Sequence, residues 1–295
     1  MIFLKSGDRE LVRVANWDEI EQLPGFTVGV DPTEHKLSQI IGSYAFQDRH
    51  PCGLKTCRQP HGNGYVATTV AGLVTNLGKD CGKTHFGLDW TVERKRFDAE
   101  VSNQINKEQL RLFAAQLPAI ETRIENLRSG DRSVNWIHTN VTALKNPSKV
   151  SSSVVSLISD LVRRSSPTIT RPRLKSDDEM QLEPGGARYV DESVAVLRGF
   201  EVLLPVNDLR TLVAVQLTEK KKEFCQLTID LLSASELKKW SIWSGTVEQS
   251  LSTAEKTMEA GRAFFTKDNL RPLCEEISIG KDKELFLGYL KNLPN

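Results

Sequence analysis

This chain has no long apolar run. No window supplies the about 18 consecutive apolar residues of a membrane-spanning helix, so no membrane partner is expected. The opening Met1-Ile-Phe-Leu-Lys5 meets charge too soon to read as a signal peptide. Internal repeats, a phosphate-binding loop, a GxSxG nucleophile and a dinucleotide fingerprint are also lacking, as are the H-x-E and H-E-x-x-H patterns of catalytic zinc. No catalytic constellation is found, and a non-enzymatic protein is expected. Net charge is nearly absent, +1 over 295 residues with 26% charged and 39% hydrophobic. That balance points to a soluble, cytoplasmic protein with more than one folding unit, and the compact, tail-free composition suggests a bacterial or phage source.

Against this plain background one stretch stands out. Three of the five cysteines and two of the five histidines fall between Cys52 and His85. Soft ligands arriving as two close pairs point to a zinc site, one ion per chain. Cys52, Cys57 and Cys81 are the expected ligands, with His85 as the fourth and His61 as its competitor. Between the pairs, Tyr65–Val70 and Leu73–Leu77 read as two strands joined at Ala71-Gly72. Asp80 can cap a helix beginning near Cys81, and Cys81 and His85 then share one helical face. With that many donors and no carboxylate base in pattern, the site reads as structural. Knuckle, hairpin and helix start in this order resemble a treble-clef zinc finger over about 40 residues, a resemblance of topology.

The fold class expected is α+β and mainly helical: a small N-terminal zinc-binding, treble-clef-like α/β domain over residues 1–92, a helical and possibly coiled-coil connector over 93–138, a basic Ser/Pro-rich linker over 139–178, and a mainly helical C-terminal domain over 179–295. In the first, Ile2–Leu4 and Glu10–Val14 suggest strands about a Ser-Gly-Asp turn. Asn16 with Glu19 suggests a capping box, and Asp31-Pro32 a second helix carrying Leu37, Ile40 and Ile41. In the connector, the series Leu110, Phe113, Leu117, Ile120, Ile124 and Leu127 has coiled-coil spacing; Pro118 within it leads to a kink or a break into two helices expected near Gln116. It offers either an internal seam or a surface for self-association or a partner protein. Further on, strand-like runs are expected over Val194–Leu204, a helix capped by Asn207, another capped by Ser233 or Ser235, and separate helices over Ser252–Phe265 and Lys283–Leu293. Cys225 and Cys274 are expected to be reduced and buried.

Residues 139–176 carry seven basic side chains against Asp160 alone. A short helix over Val154–Val162 is expected there, followed by an extended, mobile Arg/Pro/Thr tail. Arg163, Arg164, Arg171 and Arg173 on this arm, with Lys55, Arg58, Lys79 and Lys83 on the zinc unit, form the candidate phosphate-binding surface for DNA or RNA. The arm lacks interleaved aromatics, so contacts to phosphate rather than to bases are expected. Sequence therefore suggests a zinc-stabilised nucleic-acid-associated or regulatory protein, with a protein–protein adaptor as the alternative.

Overall fold

The computed structural model describes residues 2–6, 10–14, 16–182 and 185–295. It is mixed α+β and mainly helical, with two small antiparallel sheets. The chain divides into two units: residues 1–112 with 228–241, and residues 113–227 with 242–295. No helix among the described residues is long and apolar enough to cross a membrane.

In the first unit, β1 (Ile2–Ser6) and β2 (Glu10–Val14) pair as expected, with Leu4 opposite Val12. Gly7 and Asp8 of the expected turn lie outside the described residues. The short helix α1 (Asp18–Glu21) has its capping box: Asn16 Oδ1 accepts the Glu19 amide at 3.2 Å, and the Glu19 carboxylate accepts the Asn16 amide at 3.3 Å.

The second expected helix is absent. Asp31 instead closes a turn by accepting the amide and hydroxyl of Thr33, and Leu37–Pro51 form the 15-residue strand β3. The spacing of Leu37, Ile40 and Ile41 suits a helix face, but the ladder decides otherwise. β3 lies between β1 and β4 (Pro60–Thr69); its register shifts between Ile40 and Gly42, and the buried Ile40 and Tyr44 face opposite sides of the sheet. The strand β5 (Val74–Leu77) returns beside β4 through the expected turn, giving the order β2-β1-β3-β4-β5.

Helix α2 (Lys79–Arg128) follows, and it breaks at a place the sequence reading did not choose. Gly87 has φ +57° and ψ −121°, a conformation that needs glycine, and it separates the first turns from the long helix. The helix runs through Pro118, whose ring is exposed and whose nitrogen has no hydrogen to donate to the turn before it. One face of the sheet, with Ile40, Cys52 and Leu77, packs against Trp90 and Phe97 of α2. Phe97 is fully buried, which stabilises the unit by roughly 2–3 kcal/mol. The other face, with Tyr44, Val66 and Val74, packs against Ile20 of α1. Tyr65 ties the sheet to α2 by donating its hydroxyl to Asp98 at 3.0 Å.

The second unit contains α3 (Val134–Leu144), α4 (Pro147–Val150), α5 (Ser152–Arg164), β6 (Thr168–Leu174), α6 (Asp177–Leu182) and β7 (Tyr189–Val196). A ten-residue π-helix (Arg210–Glu219) runs into α7 (Lys220–Cys225), and α8 (Ala234–Phe264), α9 (Lys267–Leu270) and α10 (Gly280–Leu290) complete the chain. Helix α5 is the expected short one. The tail behind it is extended, as expected, but it is paired rather than free: β6 runs beside β7, from Thr168 opposite Val196 to Leu174 opposite Tyr189. Strand structure accordingly ends at Val196, and Gly199 begins a 3-10 turn over Phe200–Leu203.

Asp208 rather than Asn207 caps the π-helix, accepting the amides of Arg210 and Thr211. Ser233 caps α8 reciprocally with Glu236, as expected. Ser252–Phe265 is no separate helix, because α8 is continuous. The Thr246 and Ser250 hydroxyls bond back to helix carbonyls instead of stopping it. The apolar series of α2 is covered by the chain itself: Phe113 meets Phe224 and Trp243 edge-on at centroid distances of 5.3 and 5.2 Å, and Ile120, Ile124 and Leu127 are buried. Cys274 is buried, but Cys225 is exposed at the end of α7.

Candidate metal centre

Three local pieces bring Cys52, Cys57 and Cys81 together. Cys52 follows the end of β3, and its amide donates to the Gln59 carbonyl while the Gly53 amide donates to Asn76 on β5. The loop between is thus tied at both ends to the sheet. Arg58 adopts φ +49°, which closes the turn around Cys57. Cys81 stands in the first turn of α2. Gly82 beside it is obligatory, since a Cβ there would meet the Trp90 ring at 2.1 Å. The break at Gly87 lets Trp90 fold over Gly82, fixing the helix start against the core.

The three sulfurs lie within 4.8 Å of one another, and Cys57 and Cys81 Sγ are 3.0 Å apart. All are free thiols. Burial pushes the Cys52 thiol up, against amides of Leu54 and Gly78 that donate to its sulfur. A hydrogen bond from Cys81, helped by the Gln59 amide, brings Cys57 down. Burial and the neighbouring sulfurs push Cys81 to about 12. Three thiols this close cannot all ionise without a compensating cation, and a soft divalent ion supplies that charge. The cluster could hold a metal ion.

The two histidines differ. His85 is exposed, one turn beyond Cys81, with Nε2 3.4 Å from the Thr56 hydroxyl beside Cys57. The His61 ring stacks on Tyr44 and makes a 3.0 Å hydrogen bond to its hydroxyl through Nδ1; its Nε2 is buried without a partner. Neither ring lies with the three sulfurs in the 4.8 Å cluster. The helpers that the sequence reading missed are backbone groups. The amides two residues beyond Cys52 and Cys57 donate to sulfur, and that fixed offset is the only trace they leave in sequence.

Among the candidate cations, Lys55, Arg58, Lys79 and Lys83 are exposed on the same turn and helix start as the cysteines. Lys55 reaches Asp31 at 3.4 Å. The four arginines of the basic stretch belong to the second unit and are each engaged: Arg163 and Arg164 with Asp160, Arg171 with Glu276 at 2.6 Å, and Arg173 with Glu179 at 2.7 Å. No family model, curated protein or solved structure matches this chain.

Proposed function

We propose that this is a non-enzymatic protein in which one structural zinc ion, held by Cys52, Cys57, Cys81 and His85, organises a surface that contacts nucleic-acid phosphate. The observation that carries the reading is the placement of Lys55, Arg58, Lys79 and Lys83 on the two segments that supply the sulfurs. An ion there would fix the spacing of these cations. The arginines of residues 163–173 contribute less, because each is paired with a carboxylate, Arg163 and Arg164 sharing Asp160. For the fourth ligand, His85 is the choice because its exposed ring can turn towards Cys81 from the same helical face. His61 is the second choice, favoured by its orphaned Nε2. Cobalt substitution separates them: the ligand-field spectrum should change in His85→Ala and persist in His61→Ala.

A salt titration with DNA and RNA tests the function. Affinity should fall with a log–log slope of roughly −3 to −4 if four phosphates are neutralised. Changing Lys55, Arg58, Lys79 and Lys83 to Gln should abolish most of that slope at unchanged metal content, while the same change at Arg163, Arg164, Arg171 and Arg173 should not. Absence of binding at low salt would favour a protein–protein adaptor. The observation supporting that second reading is the exposed pair Leu88 and Val92, one helical turn apart just after the break in α2.

A further inference from the structure

One pair in the thiol cluster is closer than metal binding alone requires. Cys57 and Cys81 Sγ lie 3.0 Å apart and both side chains are partly exposed, whereas Cys52 is 2% exposed. Two thiolates on one zinc ion stand about 3.8 Å apart, the edge of a tetrahedron with Zn–S of about 2.3 Å. A disulfide brings them to about 2.0 Å. The observed spacing lies between these, so either outcome needs a movement of only about 1 Å. The fold sets this position. The Cys57 and Arg58 amides donate to the Leu54 carbonyl, and Leu54 is fully buried. Gly82 against the Trp90 ring fixes the helix turn that carries Cys81. Folding has thus already closed the loop between residues 57 and 81, and little entropy opposes a bond between the two sulfurs.

We infer that Cys57 and Cys81 are a reversible oxidation site, closing to a disulfide with hydrogen peroxide as the oxidant and thereby excluding the metal ion. Loss of the ion rests on the zinc reading above; formation of the bond does not. In a chain whose ion has dissociated, one sulfur of the pair attacks a peroxide oxygen as the thiolate. The O–O bond breaks, and the departing hydroxide recovers the proton that the first thiol gave up. The second sulfur then attacks the sulfenic acid, the S–O bond breaks, and hydroxide leaves with the second thiol's proton. Two thiols and one peroxide give one disulfide and two waters. The buried Cys52 and a histidine are then the donors left, too few to retain zinc.

The test uses the full chain with Cys225→Ser, which removes the exposed thiol at the end of α7 and leaves four of the five cysteines. Reduced protein is treated with hydrogen peroxide beside a zinc-responsive dye, then unfolded, alkylated and digested. The four thiols should fall to two, the missing pair should appear as one Cys57–Cys81 cross-linked peptide, and the dye signal should rise in step. Dithiothreitol should restore all four, which separates a disulfide from the higher oxides of sulfur. Added zinc should slow the reaction, and a stronger chelator should speed it. If the bond forms at a rate that zinc does not alter and the dye stays silent, the zinc reading fails while the oxidation site stands. Thiols that all survive peroxide would overturn the inference. So would a main product that joins Cys52 to either partner, or a thiol loss that dithiothreitol does not reverse.

Discussion

The first unit gathers three thiols where its sheet meets the start of α2, whereas the second packs aromatic side chains between its helices. In the first, Cys52 and Cys57 come from a loop anchored in the core by the fully buried Leu54, and Cys81 from a helix start that Gly87 cuts off from the rest of α2. In the second, Phe113 meets Phe224 and Trp243 edge-on, those two rings are tilted to each other by 42°, and Phe264 meets Phe265 at 5.0 Å. The contrast teaches where each unit is vulnerable. If the thiols hold a metal ion, the loop that carries two of them depends on it, while a bundle of long helices depends on the volume of its core.

The sharpest way to break the comparison is Cys81→Ser. If zinc binding free energy is folding free energy for the loop, the first unit should lose its cooperative transition, an effect of several kcal/mol at least. Helical signal from the second unit should survive, as followed by circular dichroism during heating. Phe113→Ala should do the reverse. It should cost about 3–5 kcal/mol and lower the second unit's melting temperature, whether or not a chelator is present.

Gly82→Ala is a subtler probe. The added methyl meets Trp90, so overpacking of about 1–3 kcal/mol is expected, together with weaker metal retention because Cys81 must shift. Competition with a chromophoric zinc chelator reads the second effect. Smallest is Arg123→Met, which removes a double contact to Glu255 and one to Glu248. Arg123 holds the Glu255 carboxyl below its ordinary value, so the stabilisation is present above the unfolded-state value and is lost as pH falls through the depressed one. These groups are partly exposed, so the change should be below about 1 kcal/mol and should vanish in acid; urea unfolding at neutral and acidic pH checks both.

How much of this was legible depended on whether the signal was local. Asn16 with Glu19, Ser233 with Glu236, and the β4–β5 hairpin were readable because the groups that satisfy each other lie within a few residues. The three cysteines were readable because few roles other than metal binding crowd thiols in this way. β3 was misread because Leu37, Ile40 and Ile41 have the i, i+3, i+4 spacing of a helix face, and only pairing with β1 and β4, with its register shifts, overrides that pattern. The Arg/Pro/Thr stretch looked mobile because its partner β7 begins 15 residues after it ends.

Metal analysis of the purified full chain, combined with thiol titration, tests the central claim most directly. The account predicts about one zinc per chain, with Cys52, Cys57 and Cys81 protected from a thiol reagent until a chelator is added. A folded first unit that contains no metal and whose three thiols react freely would contradict it.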